Sequence, residues 1–411
     1  MQEFFKVTPL ETVFRYMHRF GVMDAETLPL RQSSGRILAE SIIPDSDYPD
    51  FNRATMDGYA VKAESTFGAS EANPVYLTLT GSIAMGEIPA AAIQPAETMA
   101  ISTGGMLPEG ANGVVMREYA TDIDEATIEI VRSIPPWAHT IARGEDLAAG
   151  ETVLAPGIRL RPQECGTLAA LGRYQIEVFE KPRIGIVSTG DEIIPIDQKP
   201  KTGKIRDINA YTLAAMVEKS GGIAKAYGIV ADDAGELKAT CLNALDEVDI
   251  LMISGGSSVG TRDMTIESIT GLPDAEILVH GIPLSPGKPT ILARSGDTQV
   301  WGLPGQVTST MIVFDRIVRR FVEHMGGFHV AGAPPDIRVP AVLARNIAST
   351  PGRIDYIRTR IIAEDGQYRA EPILGKSGLI HTMIKADGLI EIDMNTEGLE
   401  KGTIVNVIRL I

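Results

Sequence analysis

The run Asp249-Ile250-Leu251-Met252-Ile253, apolar from its second residue, leads directly into Ser254-Gly255-Gly256-Ser257-Ser258-Val259-Gly260 and then Thr261-Arg262-Asp263. A short run that is apolar on both faces reads as a fully buried strand. The glycines after it let the backbone take positive φ and come close to a ligand. Free N–H groups in such a loop make a concave anion site. Asp263 then sets a carboxylate beside phosphate-sized space, where it would repel a phosphate unless a metal ion lies between them. That pairing points to a phosphate ligand held through Mg²⁺.

The surrounding pattern places this strand in an α/β body. Strands are expected at 183–188, 226–230 and 249–253, with helices at 209–219 and 235–245 between them. Shorter strands follow at 276–279, 290–293 and 299–302, and a long helix at 307–324 closes the segment. Alternation of this kind predicts a doubly wound parallel sheet covered on both faces. Thr8-Pro9-Leu10-Glu11 reads as a helix start, with Thr8 as N-cap, Pro9 at the first helical position and Glu11 closing a capping box. Residues 54–140 read as strand-rich, 144–172 as a connector with one helix from Pro162, and 336–411 as β again, a small barrel or sandwich.

At 411 residues the chain is too long for one core. The expected division is a connector domain of 1–53 with 141–181, a strand-rich second domain of 54–140, an α/β domain of 182–330 and a C-terminal β-barrel of 331–411. A formal charge of −15 argues against a nucleic-acid partner. No apolar run reaches the roughly 18 residues of a membrane span, and Met1–Lys6 lacks the layout of a signal peptide. Cys165 and Cys241 are isolated, which suggests neither a disulfide framework nor a zinc site, and a reducing cytoplasm is expected. The histidines have no ligand spacing.

Ligands of open α/β sheets sit at the carboxyl ends of the strands. Three acidic groups fall at such ends: Asp191-Glu192, Asp232-Asp233 and Asp263. Each could be an exposed helix N-cap, whereas all three around one crevice suit a divalent cation with a pyrophosphate ligand. Two rigid turns follow, Pro286-Gly287-Lys288-Pro289 and Gly302-Leu303-Pro304-Gly305. Lys288 could hold an anion or be a solvated hairpin residue. Thr308, Ser309 and Thr310, in the first turn of the closing helix, suit a tetrahedral oxyanion.

Several motifs together resemble the molybdopterin molybdenumtransferases, the family that includes the E domain of gephyrin. They are Ala54-Thr55-Met56-Asp57-Gly58-Tyr59-Ala60-Val61, Ser102-Thr103-Gly104-Gly105 with Pro108-Glu109-Gly110-Ala111, Arg143-Gly144-Glu145-Asp146 and Ser188-Thr189-Gly190-Asp191-Glu192. The Ser254-Gly255-Gly256 loop and the two Pro/Gly turns complete the set, in family order over nearly the whole chain.

The resemblance implies insertion of molybdate into the dithiolene of adenylylated molybdopterin, with Mg²⁺-dependent release of AMP. It also implies a multidomain architecture of four domains: an α/β molybdopterin-binding domain, a strand-rich domain, an elongated connector and a C-terminal β-barrel. An elongated homodimer is implied, and the molybdopterin adenylyltransferase would be a further partner. Carried over by motif, Glu192, Asp232 and Asp263 would lie on the metal and pterin-nucleotide side, with Ser254, Gly255, Gly256, Ser258 and Gly260 in the cradle. Asp57 and Thr103 would come across the dimer. Lys288 is a further catalytic candidate, and Ser309, Arg353 and Ser377 would line the molybdate pocket. The chemistry agrees: carboxylates hold hard Mg²⁺, while a guanidinium and hydroxyls suit an oxyanion.

The chain departs from the family at three places. Ser285 and Gly281 stand where many members carry basic residues, and Pro304-Gly305-Gln306-Val307-Thr308-Ser309 replaces Pro-Gly-Asn-Pro-Val-Ser. Lys288, Arg353, Arg358 and Lys376 remain as cations for an oxyanion. Competing functions are adenylyl transfer from ATP to molybdopterin and a non-catalytic scaffold of the gephyrin kind.

Overall fold

A computed structural model describes residues 7–255, 259–329, 336–364 and 366–410, with the side chains of 259–263 outside the description. Its centre is a six-stranded sheet in the order Ile223–Val230, Arg183–Thr189, Ile250–Ser254, Thr298–Leu303, Ile291–Ser295, Glu276–His280. All five residues of Ile250–Ser254 are buried, because the two faces of the strand are covered by different helices. Ile250 and Met252 pack with Leu213, Val217 and Ile312. Leu251 and Ile253 pack with Leu237, Cys241 and Ile269. Side chains that alternate across a strand, combined with helices on both sides, explain why the run is apolar throughout.

The expected parallel sheet is present, with an antiparallel edge added to it. Its first four strands are parallel, but Ile291–Ser295 is antiparallel to both Thr298–Leu303 and Glu276–His280. Only Gly296 and Asp297 separate two of these strands, and Gly296 takes a φ of 57° in the turn. A parallel crossover needs a dozen or more residues, so a two-residue loop leaves only a hairpin.

The closing helix begins as Val307–Val313 and ends as Arg319–Met325, with one π-helical stretch, Phe314–Val318, between them. That stretch buries Arg316, whose guanidinium meets Asp315 at 2.8 Å and Asp336 at 2.9 Å. The pair ties the helix to the start of the last body. There, Ile354–Glu364, Gln367–Pro372, Arg338–Leu343, Ile404–Arg409 and Gly388–Ile392 close on themselves as a five-stranded barrel. Closure removes the exposed edges that a strand-rich segment would otherwise present. The short strand Leu284–Ser285 of the α/β segment adds to it, pairing in parallel with Ile354 and Asp355.

The strand-rich segment forms its own six-stranded sheet, in the order Gly113–Met116, Gly58–Val61, Glu97–Ile101, Val75–Ile83, Thr127–Ile130, Ala120–Asp122. In the connector, Ala25–Pro29 pairs with Gln175–Phe179, and Pro162–Ala170 is the expected helix, with Glu164 closing its capping box.

The N-terminal helix differs from expectation. It covers Leu10–Arg15 with Pro9 as N-cap and no side-chain cap. Thr8 sits one residue too early to cap, and its amide donates instead to the Gly281 carbonyl at 2.9 Å.

Candidate functional site

Two hollows lie at the carboxyl edge of the central sheet. The first, about 400 Å³, is lined by Thr189, Gly190, Glu192, Asp232, Gly255 and Gln306 among others. Close backbone approach shapes it. A Cβ on Gly255 would lie 2.4 Å from the Thr189 carbonyl oxygen, and one on Gly190 would lie 2.7 Å from Glu192 Oε2. The backbone contact requires glycine at 255, while at 190, where the Glu192 side chain could move aside, it is the φ of 148° that favours glycine.

The acidic groups divide by role. Asp233 caps the helix Ala234–Leu245 by accepting from the Glu236 amide at 2.7 Å, the ordinary structural use of such a residue. Asp191 Oδ1 accepts the Asp232 amide at 3.1 Å and so fixes that turn. Glu192 and Asp232 line the hollow itself, and neither is ion-paired among the described residues. Thr189 Oγ1 donates to Asp232 Oδ1 at 3.4 Å. Gly256 and Ser258 lie outside the described residues. Gly260 and Asp263 fall in the helix Val259–Thr270, but the Asp263 side chain also lies outside the description.

Two unpaired carboxylates with open surroundings are a donor set that fits a hard divalent cation completed by phosphate oxygens and water. Among the described residues, no group of three or more His, Cys, Asp or Glu side chains forms a ready metal cage. Such a cation would therefore need its ligand's oxygens as well.

Asn209 was not expected here. It is 7% exposed, and its Nδ2 donates to Ser254 Oγ at 2.7 Å and to the Gly305 carbonyl at 2.8 Å. One amide thus fastens the glycine loop to the Pro304-Gly305 turn. Its Oδ1 is buried without a protein partner, and the residue lines the first hollow. The signal was present in the sequence, since Asn209 lies on the same helix face as Leu213 and Val217, which are both buried. Arg206, also lining the hollow, commits its Nε to the Ile196 and Gln198 carbonyls.

The second hollow, about 490 Å³, lies between the α/β segment and the barrel. Lys288, Ser309, Arg353 and Ser377 all line it, together with Ser285 and Gln306. The four residues expected around an oxyanion thus come together from four separate stretches of chain. Arg353 Nε meets Asp355 Oδ1 at 3.2 Å, and Ser349 donates to the other oxygen of that carboxylate at 2.5 Å. Ser309 is buried at the start of its helix, and Gln306 lines both hollows.

Asp57 and Thr103 line neither hollow of their own chain. They are joined to each other: the Thr103 amide donates to Asp57 Oδ1 at 2.7 Å and its hydroxyl to the same oxygen at 2.9 Å. These two bonds, the amide first, hold the Asp57 carboxyl below its ordinary range.

A glycine-edged hollow with carboxylates thus stands next to a hollow with a guanidinium and hydroxyls, in a multidomain chain of an α/β body and a β-barrel. The comparisons agree along the chain. Residues 8–172 match the MoeA N-terminal region (domain I and II), 185–324 a probable molybdopterin binding domain and 340–410 the MoeA C-terminal region (domain IV). A putative molybdopterin biosynthesis protein of Methanocaldococcus jannaschii is 38% identical over 92% of this chain and 90% of its own. The molybdopterin molybdenumtransferase of Bacillus subtilis is 29% identical over 98% and 94%. The crystal structure of the molybdopterin biosynthesis MoeA protein of Pyrococcus horikoshii OT3 superposes with a TM-score of 0.84 at 30% identity, covering 98% of this chain and 100% of that one. The chain belongs to the MoeA family.

Among the described residues no helix is long and apolar enough to cross a membrane.

Proposed function

We propose that this protein inserts molybdate into the dithiolene of adenylylated molybdopterin and releases AMP, as a homodimer. The observation that carries the proposal is the adjacency of two chemically opposite hollows joined at Gln306. One presents carboxylates, which suit a cation and its diphosphate. The other presents Lys288, Arg353, Ser309 and Ser377, which suit a tetrahedral dianion.

The division of labour follows from charge. Bare, Glu192 and Asp232 would repel a diphosphate, so they would hold a Mg²⁺, with Asp263 as a further candidate ligand. The cation would neutralise charge on the diphosphate and polarise its phosphorus. Gly190 and Gly255 let the backbone close on the nucleotide, and Asn209 holds the loop and the turn that border it. Lys288 and Arg353 attract molybdate, while the Ser309 and Ser377 hydroxyls donate to its oxygens and fix its orientation toward the dithiolene. Water enters the adenylyl phosphorus–oxygen bond, giving AMP and the pterin phosphate. Asp57 and Thr103, remote from both hollows of their own chain, act in the partner's cleft. The four-domain division set out above and action in the cytoplasm belong to the same proposal.

The test is direct. Pure protein with adenylylated molybdopterin, Mg²⁺ and molybdate should release AMP and yield molybdenum cofactor. Absence of molybdate-dependent AMP release refutes the proposal, and ATP-dependent adenylylation of molybdopterin without molybdate would instead favour the preceding step.

A further inference from the structure

We propose that Arg358 is a positioning residue for the oxyanion: its guanidinium grips the 375–382 loop on both sides of Ser377 and sets that hydroxyl over the second hollow. The inference rests on the assignment of that hollow to molybdate.

Arg358 lies on the barrel strand Ile354–Glu364 and is 8% exposed. Its Nη2 donates to the Gly375 carbonyl and its Nη1 to Thr382 Oγ1, both at 2.6 Å. Thr382 Oγ1 passes the contact on, donating to the Leu379 carbonyl at 2.6 Å. One side chain therefore fixes the loop before Ser377 and after it. On its other side the loop is fastened to the α/β segment, where the Thr308 amide donates to the Ser377 carbonyl at 3.0 Å.

The charge is unbalanced. Arg358 makes no ion pair among the described residues, and its Nε is buried with no hydrogen-bond partner. Burial alone depresses its pKa. A buried guanidinium is ordinarily compensated by a carboxylate. This chain does so at Arg316, which is 6% exposed and meets two carboxylates. A purely structural arginine is thus given counter-ions here, and Arg358 is not. A carboxylate beside the Ser377 loop would repel an arriving dianion, and its absence leaves positive potential behind the hydroxyl. Among the described residues the hollow's own lining supplies the cations Lys288 and Arg353, and Arg353 is already engaged with Asp355.

The experiment is calorimetric titration of the full-length protein with sodium molybdate, with AMP and Mg²⁺ titrated separately as a readout of the first hollow. Arg358→Met should weaken molybdate binding by about tenfold, less than two lost charge-assisted hydrogen bonds would cost, because those bonds hold the loop and do not touch the ligand. AMP–Mg²⁺ binding should change far less, since Gly378 alone of this loop lines the first hollow. Combined with Ser377→Ala, it should add little to the loss from either change alone, because Arg358 acts through that hydroxyl. Thr382→Val keeps the shape and removes one acceptor, so it serves if Arg358→Met does not fold, and it should weaken molybdate binding several-fold. Unchanged molybdate affinity in a folded Arg358→Met or Thr382→Val variant, while Arg353→Met and Ser377→Ala lose it, overturns the role of Arg358 and leaves the pocket standing. Full additivity of Arg358→Met and Ser377→Ala overturns it too. If Arg353→Met and Ser377→Ala also bind as the unaltered protein does, the pocket assignment falls and the inference with it.

Discussion

The amide of Thr308 donates to the carbonyl of Ser377 across 3.0 Å, so the first turn of the closing helix and a loop of the barrel are one hydrogen-bonded unit. Ser309 and Ser377, the hydroxyls on either side of that bond, line the same hollow. Replacing both by alanine should weaken molybdate binding by more than tenfold, since each removes a donor to a charged ligand, while thermal stability changes little. Equilibrium binding of molybdate checks this, and unaltered affinity would contradict it.

Asp57 and Asp232 should complement each other in trans. If each cleft takes Asp57 from one subunit and Asp232 from the other, Asp57→Ala and Asp232→Ala homodimers are both inactive. A mixed heterodimer then holds one intact cleft, and random mixing should restore about a quarter of full activity. Mixtures that stay as inactive as their components would place both residues in one subunit's cleft or refute the dimer.

Glu192→Gln and Asp232→Asn keep shape and remove charge. Each should lower molybdate-dependent AMP release about a hundredfold and raise the Mg²⁺ concentration needed for half activity. A variant with normal Mg²⁺ dependence would remove that residue from the metal side.

Gly255→Ala tests the close approach at the loop. The added Cβ would stand 2.4 Å from the Thr189 carbonyl, so the loop must move, at a cost of about 1–3 kcal/mol. Weaker AMP–Mg²⁺ binding together with a lower melting temperature is expected. Normal values for both would show that the loop has slack.

The Asp57–Thr103 pair has a defined pH response. The lowered folded value of Asp57 means that its contribution is present above the unfolded aspartate pKa and is lost as pH falls through the folded value. In Thr103→Val the hydroxyl bond disappears and the midpoint should rise toward the ordinary range, while the amide bond keeps part of the shift. Carboxyl NMR titration reads both midpoints; equal midpoints would exclude the hydroxyl as a cause.

The sequence exposed the central sheet because its strands are apolar on both faces and its loops carry glycine. It offered Glu192, Asp232, Lys288, Ser309, Arg353 and Ser377 as candidates through the resemblance of its motifs, though no spacing shows that they fall into two hollows. That grouping depends on the barrel folding back onto the α/β segment, a contact made by Leu284–Ser285 on Ile354–Asp355. The mixed sheet was hidden behind an alternation that looks parallel until the two-residue turn at Gly296 is counted. The N-terminal cap fell one residue later than expected, at Pro9, and the Thr8 amide is tied to the distant Gly281 carbonyl, a contact that local propensity does not register. Asn209 was not placed for the same reason, since its bonds reach Ser254 and Gly305, and Arg358 was named only as a spare cation because its grip on the 375–382 loop is a tertiary contact.

The most direct measurement is anomalous scattering at the molybdenum edge from crystals soaked with molybdate and AMP–Mg²⁺. The account predicts one strong peak within hydrogen-bond reach of Ser309, Arg353 and Ser377, with the nucleotide in the neighbouring hollow beside Glu192 and Asp232. A molybdenum peak among the carboxylates, or none between the α/β segment and the barrel, would contradict it.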